Sequence, residues 1–190
     1  MARLEFLHRG EKKMKTSKKT KQNSEEKIVS SAHLAKEGPA ELSEFEYGLI
    51  LAHNAFSRWT QRCMGAAGQA DLGALDVLVL HSVRHREREK QASDICFVLG
   101  IEDTHLVIYS LKKMERLKLV HRSKRGKETF WNITNSGAKA CDGYSAVRQA
   151  CLSGVLQSLN LDDSDLAEMA KMLRALSGLY DQGARAAASL

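Results

Sequence analysis

Apolar residues recur every three or four positions through most of the chain after residue 42, and this spacing predicts a mainly helical protein. A single proline and Ala- and Leu-rich runs also favour helix over sheet. The apolar stripes predict six helices, over residues 43–66, 72–86, 91–99, 103–117, 135–159 and 162–180. Ser43, followed three positions later by Glu46, has the pattern of a capping box and predicts where the first helix starts.

Residues 91–117 combine two of these helices with a tight turn. Gly100 can adopt the left-handed conformation that ends a helix. Asp103 and Thr104 offer side-chain oxygens that cap the next one. The apolar stripe of that second helix, expected to face inward, consists of Val107, Leu111, Met114 and Leu117. Helix, turn and helix in this order indicate a helix-turn-helix.

Residues 119–134 predict a two-stranded hairpin directly after the second helix. The turn contains Gly126 among several cations, and the sequence Thr-Phe-Trp-Asn-Ile that follows at residues 129–133 is rich in β-formers. Two strands joined by a cationic turn form a wing that can lie against phosphate. The predicted fold class is mainly α with a small β wing: a winged helix-turn-helix domain, a DNA-binding module, flanked by long N- and C-terminal helices.

The positive charge of the chain is concentrated in two segments. The 190 residues carry a net charge of +6. By segment, the net charge is +6 over residues 1–36, −4 over 37–83, +6 over 84–127 and −2 over 128–190. The second basic segment coincides with the helix-turn-helix and the wing, as a surface for a polyanion requires.

The pattern divides the chain into three parts. Residues 1–38 are Lys-rich without apolar periodicity and predict a disordered basic arm. Residues 39–182 form the winged helix domain, with a DNA-binding core at about 72–134, and residues 183–190 are expected to fray. The long helices at about 43–66 and 135–180 carry more apolar surface than a small domain covers, so they predict a homodimer.

Several other classes of protein and site are not favoured. No apolar run is long enough to span a bilayer and the start lacks a secretory signal, so a cytoplasmic protein without membrane contact is expected. Four cysteines without C-x-x-C spacing do not indicate zinc, and His81 with His85 lacks a third metal ligand. Phosphate-binding loops and hydrolase motifs are missing, so we expect neither an enzyme, nor a cofactor, nor a metal.

The order of elements resembles the MarR family of bacterial transcription regulators, over roughly residues 41–180. The motifs that carry the resemblance are DICFVLG at 94–100, MERLKLVHR at 114–122 and ITNSG at 133–137. The chain departs from the family pattern at several points. The family's glycine before the first wing strand is Lys118, its Asp-x-Arg wing tip is replaced by KRGK at 124–127, the turn from Gly100 to Asp103 is one residue longer, and Tyr109 lies near where the family often has Arg. The resemblance implies a homodimer that places each recognition helix in the major groove and each wing at the minor groove of double-stranded DNA.

The candidate DNA-binding residues lie on the outer face of the recognition helix, residues 103–117, on the wing and at the start of the preceding helix. Polar groups in the first turn can approach base edges, an apolar one can contact a thymine methyl, and wing cations suit phosphate or a narrow minor groove. The set is Ser93, Thr104, His105, Ile108, Tyr109, Lys112, Arg122, Lys124, Arg125 and Lys127.

Three functions remain open on the sequence. The first is a sequence-specific, dimeric transcription regulator. The second is a winged-helix adaptor for another protein that does not recognise DNA sequence, suggested by the apolar Ile108 and Tyr109 on the outer face. The third is a ligand-responsive regulator: the resemblance implies a small-molecule effector bound between the long helices and the DNA-binding core. Its candidate lining residues are His53, Phe56, Trp59 and Tyr144.

Overall fold

The structure, a computed structural model, describes residues 40–159 and 161–190. Its helices are α1 (Ala40–Ala66), α2 (Ala74–Arg84), a short 3-10 helix (His85–Glu87), α3 (Ala92–Leu99), α4 (Thr104–Arg116), α5 (Asn135–Ser158) and α6 (Asp163–Ala187). The strands β1 (Val120–Arg125) and β2 (Glu128–Ile133) form one antiparallel hairpin. The predicted fold class, mainly helical with a small β wing, is therefore confirmed. The basic arm predicted at 1–38 lies outside the described residues.

Two details of the predicted helix ends are wrong. Helix α1 begins at Ala40, so Ser43 lies inside it and is not its N-cap. Helix α6 continues to Ala187, beyond the end predicted for it at residue 180. Arg185 in the last turn of α6 suits the negative end of the helix dipole, and four alanines among residues 184–188 have high helix propensity.

The described residues fall into two units, the first ending at Leu49 and the second beginning at Ile50. In the first unit, residues 40–49 form the opening turns of α1. The second unit holds a hydrophobic core that α2, α3, α4 and the hairpin surround. Its largest fully buried side chains are those of Met64, Leu80, Ile95, Leu111, Met114 and Leu119. No helix among the described residues is long and apolar enough to cross a membrane.

The hairpin is tied to the loop that precedes α3. Its register pairs Arg122 with Trp131 and Arg125 with Glu128, which leaves Gly126 and Lys127 as a two-residue turn. Gly126 has φ 62°, a left-handed conformation that glycine adopts without steric cost. On the other side of β2, Lys90 pairs with Trp131 through two backbone hydrogen bonds of 3.1 and 2.8 Å. The wing is thus held by the body of the domain.

The backbone of α5 closely approaches the junction between α4 and β1. Lys118 has φ 59° and so occupies the left-handed region in which the MarR-like motif has glycine. The Thr134 hydroxyl lies 2.7 Å from the Lys118 carbonyl and 2.9 Å from that of Leu119. A Cβ at Gly137 would stand 2.1 Å from the Leu119 carbonyl oxygen, so this position accepts only glycine without movement.

Candidate nucleic-acid interface

Helix α4 separates a buried face from an exposed one. Asp103 is its N-cap and accepts a 2.8 Å hydrogen bond from the His105 amide, as predicted. Three residues of the expected inward stripe, Val107, Leu111 and Met114, are fully buried. The fourth expectation is wrong: Leu117 is 36% exposed, because it is the C-cap, where the helix ends and its face turns away from the core.

The outer face of α4 carries the predicted contact residues. Thr104, His105, Tyr109 and Lys112 are exposed, and Ile108 is half-buried. Leu106, which sequence reasoning did not single out, is also exposed on this helix. The face thus combines hydroxyl, imidazole and ammonium groups with apolar surface, the mixture that contacts to base edges and thymine methyls require.

A buried carboxylate holds α4 in its orientation. Asp76, in the first turn of α2, accepts hydrogen bonds from the Ser110 hydroxyl at 2.7 Å and from the Lys113 ammonium at 2.6 Å. It also accepts a 2.9 Å bond from the Gly73 amide, which caps α2. Lys113 is therefore an anchor of the recognition helix and not part of its outer face. Local sequence patterns do not reveal this contact, because the partners lie more than thirty positions apart.

The helix before the turn also matches its predicted ends. Gly100 has φ 65° and ends α3 in the left-handed conformation. The carboxylate of Asp94 accepts a 3.0 Å hydrogen bond from the Gln91 amide at the start of α3. Ser93 lies exposed in the first turn, where free backbone amides can meet a phosphate.

The wing presents its cations at the surface, but two of them already have anionic partners. Arg122, Lys124, Arg125 and Lys127 are all exposed. Arg122 Nε lies 3.1 Å from Glu115 Oε1, and Arg125 Nη2 lies 2.6 Å from Glu89 Oε2. The Arg125 guanidinium also stands 5.2 Å from the centre of the Phe130 ring, a cation–π contact. Among the described residues, Lys124 and Lys127 have no such ion pair.

The histidine and cysteine side chains considered for metal binding pack within the domain. His81 packs its ring edge-on against Tyr144 at 4.8 Å, and burial lowers the pKa of its imidazole, with the nearby Arg84 adding to the effect. Burial raises the pKa of the Cys63 and Cys141 thiols, which opposes the thiolate form. Within the described ranges, no group of three or more potential metal ligands comes together.

Two cavities of the described region are lined in part by α2. One, of about 350 Å³, lies between α2, the 3-10 helix and α3; among its lining residues are Leu78, His81 and Val98. The other, of about 300 Å³, is lined by α1 and α2 and includes His53 and Phe56, two of the four predicted effector-lining residues. The other two, Trp59 and Tyr144, pack against or within the core instead.

Comparison with known proteins agrees with this architecture. Residues 72–137 match a protein family described as the winged helix DNA-binding domain. No curated protein matches the chain significantly.

Solved structures with the same fold include MarR-family regulators. A transcriptional regulator (MarR family) from Rhodococcus sp. is 14% identical, with 73% of this chain and 96% of that chain covered at a TM-score of 0.61. The MepR–DNA complex of S. aureus is 19% identical, with 70% and 96% covered at 0.55. CouR from Rhodococcus jostii, bound to p-coumaroyl-CoA, is 14% identical, with 73% and 95% covered at 0.61. The chain therefore has the winged-helix fold of the MarR-family regulators, and the resemblance found in its sequence is confirmed.

Proposed function

We propose that the protein is a transcription regulator that binds double-stranded DNA sequence-specifically as a homodimer. The observation that carries this proposal is the arrangement of α4: its inner face is fixed by the core and by Asp76, and its polar outer face is free beside a cationic hairpin. In this proposal α4 enters the major groove and the wing lies at the minor groove. The DNA-bound state of MepR, which shares the fold, supports it.

The proposal of a homodimer rests on apolar surface that the single chain leaves exposed. No residue of α6 is buried, and large apolar side chains along it are exposed, among them Met169, Met172, Leu173 and Leu179. Val155 and Leu159, at the end of α5 and just beyond it, are exposed as well. Burying such surface against a second copy is favourable at about 25 cal/mol per Å² of apolar area. Sedimentation equilibrium distinguishes a dimer from a monomer of 21.1 kDa directly.

The test of sequence-specific binding is a selection of bound duplexes from a random DNA pool at two salt concentrations. A dimer is expected to enrich a two-fold symmetric motif with half-sites about one helical turn apart. Arg125→Ala, with Lys139→Ala as an exposed control away from the wing, should weaken binding to the enriched duplex. Retention without enrichment would refute sequence recognition. No retention on any DNA would instead favour the adaptor function.

A second proposed function, binding of a small-molecule effector, is supported by the cavity lined by α1 and α2. Its volume of about 300 Å³ lies at the lower end of the range for ligand sites, and apolar residues such as Phe56 and Leu78 line it. CouR shows that a protein of this fold can hold a ligand. A thermal-shift screen of small aromatic acids should give stabilisation that Phe56→Ala abolishes. A hit that this variant leaves unchanged would exclude the cavity as the site.

A further inference from the structure

The carboxylate of Glu89 is shared between the two strands of the wing and the arginine at the wing tip. Its Oε1 accepts hydrogen bonds from Asn132 Nδ2 at 3.2 Å and from the Ser123 hydroxyl at 3.5 Å. Its Oε2 lies 2.6 Å from Arg125 Nη2. Oε1 therefore links the carboxylate to β1 and β2, whereas Oε2 pairs with Arg125.

The backbone fixes this carboxylate in place. The next residue, Lys90, is paired with Trp131 of β2, so Glu89 is aligned with the hairpin as if it belonged to a third strand. The buried ammonium of Lys90 donates hydrogen bonds to the backbone carbonyls of Val83, His85 and Arg88. These bonds fix the conformation of the loop before α3. The Glu89–Arg125 pair is thus built into the fold of the free protein.

We infer that Glu89 sets the DNA affinity of the wing by competing with phosphate for Arg125. This inference rests on the proposed DNA-binding function. A carboxylate and a phosphate accept the same charge-assisted N–H bonds from a guanidinium, and both prefer its paired donors. A phosphate that pairs with Nη2 of Arg125 must displace Glu89 Oε2, which now occupies that donor. The side chains of Arg125 and Glu89 are 66% and 30% exposed, so a phosphate can reach the pair.

The variant Glu89→Gln tests the competition with little change of shape. The amide oxygen of glutamine can replace Oε1 and still accept from Asn132 and Ser123, while the NH₂ group takes the place of Oε2 and cannot pair with Arg125. A partly exposed ion pair contributes up to about 1 kcal/mol, so its loss should tighten binding by about two- to fivefold. A labelled mixed-sequence duplex serves as the probe, because phosphate contacts do not depend on sequence.

Glu87→Gln is the matched control. Glu87 is exposed two positions away, and the described structure shows no ion pair for it, so the variant changes the same charge without releasing an arginine. If Glu89→Gln binds more tightly than Glu87→Gln, and if Arg125→Ala abolishes this gain, the competition is established. Thermal unfolding of both variants shows whether the wing remains folded.

Three results would overturn the inference. Equal affinities of the two glutamine variants would assign any gain to net charge alone. Weaker binding by folded Glu89→Gln would mean that the carboxylate orients Arg125 towards DNA. A gain that persists in the Arg125→Ala background would show that another cation is involved. Failure of the proposed function is recognised separately, since the wild-type protein would then not bind the duplex at low salt.

Discussion

Replacing Gly137 by alanine is expected to destabilise the protein by about 3 kcal/mol, although alanine is the better helix former. The new Cβ would stand 2.1 Å from the Leu119 carbonyl oxygen and 2.7 Å from Ile133 Cδ1, whereas ordinary contacts begin at 3.4 Å. Helix α5 would have to move away from the start of β1. That movement strains the 3.1 Å hydrogen bond from the Thr134 amide to the same carbonyl.

Two contributions to the free energy of unfolding destabilise the variant, and a third opposes them. Overpacking against an atom that cannot rotate away costs about 1–3 kcal/mol or more. Weakening the Thr134 amide and hydroxyl bonds to Leu119 adds about 0.5–1.5 kcal/mol for each one lost. The helix propensity of alanine returns at most about 1 kcal/mol.

Urea denaturation of Gly137→Ala and of Ser136→Ala measures the effect against a matched control. Ser136 is the exposed neighbour in the same helical turn, and its replacement should change the free energy of unfolding by less than about 0.5 kcal/mol. A thermal midpoint lowered by about 6–12 °C for Gly137→Ala corresponds to the expected loss. A loss below about 1 kcal/mol would refute the close approach of α5 to Leu119.

Three further results are expected. Lys118→Gly should raise the free energy of unfolding by about 0.5–1 kcal/mol, because φ is 59° there, and a loss of stability in urea denaturation would contradict this. Asp76→Ala should lower the free energy of unfolding by about 2 kcal/mol and weaken DNA binding, because it leaves Ser110 and Lys113 without their acceptor. The control Asp71→Ala, at an exposed position, should change neither stability nor DNA binding. The lowered pKa of His81 means that its contribution to stability is present above the unfolded value of about 6.5 and is lost as pH falls through the lower folded pKa. Unfolding free energies of His81→Phe should therefore fall less on acidification than those of wild type.

The parts of the fold that the sequence predicted correctly depend on local chemistry. Gly100, Asp103 and Gly126 mark helix ends and a turn whose conformations those residue types favour within a few positions. Apolar periodicity identified the buried side of α4, because Val107, Leu111 and Met114 recur at the spacing that places residues on one face of a helix. Ser43 was misplaced because a capping-box pattern also occurs inside a helix that starts earlier.

The missed parts depend on pairs that are distant in sequence. The ion pair of Lys113 with Asp76 joins α4 to α2, and the two residues are 37 positions apart in the sequence. Glu89 precedes α3 in the sequence, and the pairing of the next residue, Lys90, with Trp131 brings it to the wing. The inward orientation expected of Leu117 failed because a periodic pattern does not show where a helix turns into its C-cap. The type of each charged residue and the spacing of apolar residues can be read from the local sequence. The partner of a charged side chain depends on the tertiary fold.

The pairing of Lys90 with Trp131 has a consequence for how this chain can evolve. Residues 85–90 act as a spacer of fixed length, because both ends are tied: α2 at one end and β2 at the other. Side chains next to a paired residue alternate between the faces of the hairpin, so inserting or deleting one residue between Glu89 and Lys90 would turn Glu89 away from its partners on the wing. Descendants of this sequence should therefore exchange residue types within the loop while keeping its length.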